Sequence, residues 1–238
     1  NAPRRWLRPQ AVFSFDGMHP FKPLPRDQAF PMLEWGLNWC VSTQAHQYLI
    51  IHAAVVEKNG RAAILPAPPG SGKSTLTAGL VLSGWRLLSD ELTLIDRKTG
   101  MIHPLPRPVS LKNQSIDVIR QFAPGVYINR ASLDTIKGTV AHMCPPRESV
   151  RRQHEAVRPG WVIFPKWDAG ATTRMTPRSQ AQTFMFLAQN AFNYSHLGED
   201  GFRVGAALID QTLCYDFRYS KLDEAIVAFD QLANTLPV

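Results

Sequence analysis

The sequence has few of the features that mark membrane, disulfide-rich or disordered proteins. It has no run of about 18 uncharged apolar residues, which argues against a membrane-spanning helix. Its three cysteines (Cys40, Cys144 and Cys214) are widely separated and form no CxxC pair. A disulfide framework or a zinc cluster is therefore not indicated, and we expect a reducing, cytoplasmic location. Only 19% of the residues are charged, too few for a disordered chain.

The composition is that of a globular protein. With 238 residues, 45% of them apolar, the chain is long enough for one substantial domain. We predict this domain at residues 27–238, after an N-terminal arm or edge strands at 1–26, where no apolar segment of a secretion signal follows the first arginines. The net charge is +7, with 26 Lys and Arg spread along the chain. Phosphate ligands or an acidic peptide explain this excess as well as nucleic acid does, and nucleic-acid binding is not expected.

Hydrophobic periodicity and turn residues predict alternating helices and strands. Two strands, 48–56 and 61–67, meet at Asn59-Gly60, a strong hairpin signal. The following helix, 74–83, is closed by Gly84. The other predicted helices are 28–48, 115–121, 179–192 with a capping box of Ser179 and Gln182, and 220–234. The other predicted strands are 85–95, 138–143, 161–164 between Pro-Gly and Pro, and 213–219, and residues 104–112 are predicted as a loop.

The segment 67–75, Ala-Pro-Pro-Gly-Ser-Gly-Lys-Ser-Thr, has the character of a phosphate-binding loop. Such a loop turns tightly, points backbone N–H groups at the anion and continues into a helix with an electropositive N-terminus. Lys73 is placed to reach the β- and γ-phosphates, and the Ser74 hydroxyl to bind Mg²⁺. Ala67 stands where the usual pattern has glycine. The predicted nucleotide-binding residues are Pro69, Gly70, Ser71, Gly72, Lys73, Ser74 and Thr75.

Three further residues are predicted to act beside the loop. Asp90 and Glu91 end an apolar stretch only 17 residues after Lys73, where a strand end would place them near the phosphates. Asp90 would hold Mg²⁺ with Ser74, and Glu91 would accept the proton of an attacking hydroxyl. His52 lies on the strand predicted to pair with the one that enters the loop. The alternatives are a solvated strand end for the two acids and a packed core position for the histidine.

This pattern resembles the HPr kinase/phosphorylase family and, more distantly, the phosphoenolpyruvate carboxykinases. The amino-acid sequence is most similar to the subgroup called HPr-kinase-related kinase A, over a region from about residue 21 to the C-terminal end. The similar segments are EWGLNWC at 34–40, IHAA at 51–54, GWRLLSDE at 84–91, PRPVSLK at 106–112 and FNY at 192–194.

The resemblance implies an α/β fold like the C-terminal domain of HPr kinase, with a mixed sheet, a P-loop and flanking helices. It implies ATP and Mg²⁺, a serine acceptor on a protein or ribosomally made peptide, a small peptide-binding chaperone as partner, and self-association as in the hexameric parent family. His52, Asp90 and Glu91 match the family's catalytic histidine and acidic pair, although the second acid is Glu where the family has Asp. No segment matches the region needed for phosphorylase activity.

Several alternatives stay open at this stage. A small-molecule kinase would use the same residues with another acceptor pocket, a regulatory NTPase would use Glu91 to position water, and a silent nucleotide-binding scaffold would need Lys73 but not Glu91. Pyrophosphate or another nucleotide in place of ATP is also open. Arg107, Lys112 and Lys137 are secondary candidates for stabilising the transferred phosphoryl group, with solvated loop charges as the alternative for each.

Overall fold

The computed structural model of the protein describes residues 7–235. The predicted N-terminal arm lies partly outside these residues, and its described part, 7–26, includes a small antiparallel pair of strands. The first elements in chain order are β1 (Gln10–Ala11), β2 (Leu24–Pro25), α1 (Ala29–Gln44), β3 (Tyr48–Lys58), β4 (Arg61–Pro66), α2 (Lys73–Leu82), β5 (Arg86–Ser89), β6 (Leu92–Asp96), β7 (Ile102–His103), β8 (Val109–Lys112) and α3 (Gln114–Phe122). They are followed by β9 (Ser132–Thr135), β10 (Gly138–Met143), α4 (Arg147–Arg151), β11 (Arg158–Trp167), β12 (Arg174–Pro177), α5 (Gln180–Gln189), α6 (Tyr194–Leu197), α7 (Glu199–Asp210), β13 (Leu213–Tyr219) and α8 (Leu222–Ala233).

The fold is α/β with a large mixed sheet, as predicted. Its strands run in the order β12-β13-β11-β4-β3-β6-β7, and β5 also pairs with β3. Strands β4, β11 and β13 are parallel to one another, whereas β3 is antiparallel to β4, β5 and β6. A separate three-stranded sheet has the order β8-β10-β9. No helix within residues 7–235 is long and apolar enough to cross a membrane.

Both faces of the large sheet are covered. Strand β3 is therefore buried on both sides, and this explains its almost uninterrupted apolar sequence. Ala54 and Val56 belong to a core cluster shared with α2, α8 and the small sheet, while Ala53 and Val55 belong to a second cluster with α5 and α7. Because successive strand residues point to opposite faces, a strand buried on both sides must be apolar at nearly every position.

Several predicted elements are confirmed within a few residues. The β3–β4 hairpin turns at Asn59 and Gly60, whose φ angles are 54° and 74°. Helix α2 ends one residue before Ser83. Gly84 follows, with the Trp85 N–H donating to the Leu80 carbonyl in the pattern of a glycine-terminated helix. The strands predicted at 138–143 and 213–219 are β10 and β13.

Other predictions of local structure are wrong. The strand predicted at 85–95 is two strands, because the chain breaks at Asp90-Glu91 between β5 and β6. The predicted loop 104–112 contains β8, and β11 runs through the Pro-Gly and Pro residues that were expected to bound it. Ser179 precedes α5 without a side-chain capping bond, and α7 was not predicted.

Candidate active site

The predicted phosphate-binding loop, residues 67–75, lies where the carboxyl ends of three parallel strands meet. It connects the end of β4 to the start of α2, next to the ends of β11 and β13. This edge of an open α/β sheet is the usual position of a ligand site. Gly70 and Gly72 have φ angles of 84° and 86°, in the left-handed region that glycine adopts without a steric cost. Ala67 has no positive φ, so its place in the loop does not require glycine.

The ends of β11 and β13 hold the loop in place. The Trp167 N–H donates to the Ser71 carbonyl at 2.8 Å, and the Tyr219 hydroxyl donates to the Gly72 carbonyl at 3.1 Å. A Cβ atom at Gly72 would stand 2.6 Å from the Tyr219 hydroxyl oxygen and 2.8 Å from the Trp167 Cβ. The Oγ atom of Ser71 is buried and has no hydrogen-bond partner. The loop is thus closely packed against the ends of β11 and β13, and the Ser71 hydroxyl oxygen remains without a hydrogen-bond partner.

Asp90 lies in the break between β5 and β6 and is only 4% exposed to solvent. Its Oδ2 accepts hydrogen bonds from the Ser74 hydroxyl at 3.3 Å and from the Ser110 N–H at 3.0 Å. Its Oδ1 is buried without a partner. Burial raises the pKa of Asp90 to about 6, against the lowering effect of Lys73. The structure therefore brings the two predicted metal ligands together and leaves one carboxylate oxygen free.

Glu91, the next residue, contacts His52 on the neighbouring strand. The His52 Nε2 lies 3.0 Å from the Glu91 Oε2, so the ring N–H donates to the carboxylate. Burial by itself would raise the pKa of Glu91, but the His52 hydrogen bond and the charge of Lys73 lower it well below its usual range. Glu91 is consequently ionised at neutral pH and able to accept a further hydrogen bond.

The three secondary basic candidates divide into two groups. Lys112 and Lys137 lie close enough to Glu91 for their charges to lower its pKa. Lys137 also lies 5.2 Å from the centre of the Trp35 ring, and burial lowers its own pKa. Arg107 instead forms an ion pair with Glu34, with its Nη2 donating to Oε2 at 2.6 Å. Two of the three cations therefore face the acidic pair.

One buried polar residue beside this site was missed from the sequence. His142, on β10, is 3% exposed, and neither ring nitrogen has a hydrogen-bond partner. Burial and the charge of Arg107 lower its pKa to about 4. Its neighbour across the strand pair is Ser110, whose N–H binds Asp90. The sequence around His142 does not show that it lies beside the site. Its position depends on the pairing of β8 with β10, two segments that are distant in sequence.

Comparisons with known proteins give a partial family match and distant structural likenesses to solved structures. The model of the family described as "SynChlorMet cassette protein ScmC" matches residues 25–126, which include the loop, His52, Asp90 and Glu91 but make up less than half of the chain. Among solved structures, the Hpr(Ser) kinase/phosphatase from Coxiella burnetii is similar over 78% of this chain and 94% of that one, at 10% identity and a TM-score of 0.35. A likeness at that TM-score supports no conclusion on activity. No curated protein matches the chain.

Proposed function

We propose that the protein is an ATP-dependent phosphotransferase that transfers the γ-phosphoryl group to a serine hydroxyl of a protein or peptide. The observation that carries this proposal is the convergence of the loop, a buried carboxylate with a free oxygen, and a second, ionised carboxylate within one site. A loop that only bound phosphate would need neither acid.

The loop and the start of α2 supply the phosphate site. The first turn of a helix has N–H groups without intrahelical partners and a partial positive charge, and both favour a polyphosphate. The unused Ser71 hydroxyl and the Lys73 ammonium group add donors on the same loop. In phosphoryl transfer such groups hold the phosphates in line and offset the charge on the transferred group.

Ser74 and Asp90 fit a magnesium ion. Mg²⁺ takes oxygen ligands and retains several waters and phosphate oxygens, so one carboxylate and one hydroxyl suffice from the protein. This agrees with the lack, among residues 7–235, of any group of three or more His, Cys, Asp and Glu placed to hold a metal. The buried, unpartnered Oδ1 of Asp90 is the ligand atom that such an ion would satisfy. When bound, Mg²⁺ would neutralise charge on the phosphates.

Glu91 would receive the proton of the acceptor. In the transfer, the bond between the γ-phosphorus and the bridging oxygen of ATP breaks, and a bond from the acceptor hydroxyl oxygen to that phosphorus forms. The hydroxyl proton passes to Glu91, and the products are ADP and a phosphomonoester. His52 would hold the Glu91 carboxylate in position through its hydrogen bond. A weakly basic carboxylate is adequate, because a loose transition state needs little proton transfer before bond cleavage.

A two-stage experiment tests this proposal. MgATP should raise the unfolding temperature of the wild type but not of Lys73→Ala. With γ-labelled ATP and an array of serine-containing peptides, label should appear on peptide with the wild type and should fall by about 10²-fold or more with Glu91→Gln. Phosphate released without labelled peptide would identify a regulatory NTPase instead. Label on small hydroxyl compounds alone would identify a small-molecule kinase.

A failure of the first stage would overturn the proposal as a whole. If MgATP shifted the unfolding temperature of neither protein, the loop would not be a nucleotide site under these conditions. If Glu91→Gln labelled peptides as fast as the wild type, the base would have to be another group. Retained MgATP binding with no transfer by the wild type would favour the nucleotide-binding scaffold.

A further inference from the structure

An open groove of about 610 Å³ lies on the last three strands of the large sheet, β11, β13 and β12. Each strand contributes one exposed cation to its lining: Lys166, Arg218 and Arg174. Arg218 is paired with Lys166 on one side and with Arg174 on the other, so the three side chains form a row on one face of the sheet, here called the basic row. The volume of the groove is within the range of ligand sites, about 300–1,000 Å³.

The basic row lacks anionic partners that would justify its arrangement. Like charges at directly paired positions of neighbouring strands destabilise a sheet. Within residues 7–235, the only carboxylate near the row is that of Asp168, 3.7 Å from the Arg218 Nε, and these side chains are 45% and 57% exposed. The one acid that lines the groove, Asp216, is bound by Arg178 at 2.7 Å. The groove therefore keeps a net positive charge that an anionic ligand would offset.

The groove adjoins the phosphate-binding loop but lies on the other face of the sheet from α2. Trp167, the residue after Lys166, donates its N–H to the Ser71 carbonyl of the loop. Phe164, two residues before Lys166 and on the same face, packs against the core cluster of α5 and α7, whereas α2 belongs to the cluster of the opposite face. The basic row is therefore separate from the helix N-terminus that would bind the nucleotide phosphates.

The basic row lies within reach of the acidic pair. Strand β11 is the second neighbour of β3, across β4, and Lys166 and His52 stand at the same end of their strands. Neighbouring strands are about 4.8 Å apart, so the row begins about 10 Å from His52, which contacts Glu91, and extends to about 20 Å. An extended chain advances about 3.3 Å per residue, so about three to six residues would span these distances.

The chemistry of the groove favours an acidic peptide over nucleic acid. Two of the three cations are arginines, whose guanidinium groups bind carboxylates in a bidentate manner. Sites for single-stranded nucleic acid offer free aromatic rings for base stacking. Among the residues that line the groove, the Phe164 ring is covered by Arg178 at 4.2 Å and by Phe186 at 5.0 Å, and Phe217 is 1% exposed. Strand β12 is also the edge of the sheet, where an extended peptide can bind.

We propose that this groove binds an acidic segment of the acceptor peptide through the basic row. The inference rests on the proposed phosphotransferase function and names the class of its substrate: peptides that carry Asp or Glu about three to six residues from the serine that reaches Glu91. Binding on the face opposite α2 leaves the nucleotide site open, so the peptide and MgATP can be bound at the same time.

The first test needs no catalysis. The probe is a fluorescein-labelled peptide of alternating Asp and Gly without serine, and its binding is measured by fluorescence anisotropy at low ionic strength. The groove variant combines three substitutions: Lys166→Ser, Arg174→Ser and Arg218→Ser. The control variant removes as many positive charges at exposed arginines outside the groove: Arg120→Ser, Arg147→Ser and Arg151→Ser. We expect the groove variant to bind about tenfold more weakly and the control variant to bind like the wild type, with unchanged unfolding temperatures.

Three results of this experiment would overturn the inference. The first is no binding of the probe by the wild type. The second is an equal loss of affinity in the groove and control variants, which would show a general attraction to the positive charge of the protein. The third is a single-stranded oligonucleotide of equal charge that binds more tightly than the peptide and displaces it, which would identify a nucleic-acid site.

The second test measures phosphorylation of peptides that differ in the position of their acidic residues. Acids about three to six residues from the serine, on one side of it, should lower the KM for peptide about tenfold relative to acids next to the serine. The groove variant should lose this preference without a change in the KM for ATP. A preference that persists in the groove variant would contradict the inference.

The failures of the two proposals are distinguishable. If the wild type binds the acidic probe through the basic row but neither binds MgATP nor labels peptides, the proposed function fails and the groove remains a site for acidic peptides. If peptides are phosphorylated with no effect of acidic residues or of the groove substitutions, the inference fails and the proposed function stands.

Discussion

Strands β3 and β5 carry a buried cluster of charged residues at each end, and the two clusters differ in how well they are satisfied. At the hairpin end, the Arg86 Nε lies 2.7 Å from the Glu57 Oε2, and both side chains are less than 10% exposed. Glu57 also accepts from the Gly60 N–H, and Arg86 donates to the carbonyls of Arg152 and Glu155. The charges of this cluster are therefore paired within the protein, although the contact of the Arg86 Nε with Glu57 has the distance of an ion pair without the geometry of a hydrogen bond.

The cluster at the other end leaves polar atoms unused. His52 and Glu91 contact each other, but the Asp90 Oδ1, the Ser71 Oγ and both ring nitrogens of His142 are buried without partners. Native proteins satisfy most buried polar atoms, so unsatisfied ones call for an explanation, and a bound ion or ligand is one. The comparison separates a buried ion pair within the fold from a set of unpaired polar groups, some of which the proposed function would use.

The largest effect on stability is expected at the satisfied cluster. Glu57→Gln removes the partner of a buried guanidinium and should lower the free energy of unfolding by about 3–5 kcal/mol, measured by urea denaturation. Replacing both residues, as in Glu57→Met with Arg86→Met, should recover much of this loss, because no buried charge then remains. MgATP affinity should not change in the double variant. A single variant as stable as the wild type would show that this pair is not a support of the fold.

A pair of glycine substitutions sharpens the comparison at the loop. Gly72→Ala places a Cβ within 2.8 Å of Tyr219 and Trp167 atoms at a positive φ and should cost about 2–4 kcal/mol in stability and abolish the MgATP-induced shift. Gly70→Ala, also at a positive φ but with nothing within 4 Å, is the matched control and should cost only about 1–2 kcal/mol. Equal losses in the two variants would mean that contact with β11 and β13 does not shape the loop.

Asp90→Asn should stabilise the protein in EDTA while it removes the proposed magnesium ligand. Burial raises the pKa of Asp90 from 3.8 to about 6, so the folded state binds more protons than the unfolded state between these pH values. Stability is therefore lost as the pH rises through this window, by an amount on the order of 1–3 kcal/mol that persists above pH 6. The amide avoids this cost. We expect the variant to be more stable than the wild type at pH 7.5 by about this amount, and the difference to vanish near pH 4. A less stable variant at pH 7.5 would contradict the burial argument.

The smallest effect is expected for Tyr219→Phe, which removes one hydrogen bond to the Gly72 carbonyl. The expected loss is about 0.5–1.5 kcal/mol in the free energy of unfolding, with a modest weakening of MgATP binding in a thermal shift assay. Tyr215→Phe on the same strand is the control, because the Tyr215 hydroxyl makes no hydrogen bond among residues 7–235. If the two variants behaved alike, the hydroxyl of Tyr219 would not contribute to holding the loop.

Much of the site could be predicted because its chemistry is carried by short, local patterns. The hairpin at Asn59-Gly60, the loop at 67–75 and the start of α2 follow from backbone geometry that the residues themselves favour. Ser74 and Asp90 were predicted to share a metal ion, and the structure places them within hydrogen-bonding distance. His52 was predicted only to act beside the loop, and the structure adds that it contacts Glu91. The catalytic roles of these residues, the nucleotide and the metal stay predictions.

The rest depended on pairings between distant segments. Arg107 was a candidate for the phosphoryl group, but α1 supplies Glu34 as its partner, 73 positions away in sequence. Residues 85–95 were predicted as one continuous strand, because nothing local shows that β5 and β6 each pair with β3 on either side of a break at Asp90-Glu91. Proline and glycine within β11 misled the prediction of its length, since strand pairing overrides the local preference.

By itself, the sequence indicated the loop at 67–75 and the two acids and the histidine predicted to act beside it, because each depends on residue types at short spacing. The tertiary structure decided which polar atoms are satisfied. It buried His142 opposite Ser110, brought Lys137 over the Trp35 ring and pressed Tyr219 and Trp167 against Gly72. Burial and hydrogen bonding between distant segments are properties of packing, and they cannot be read from the neighbours of a residue along the chain.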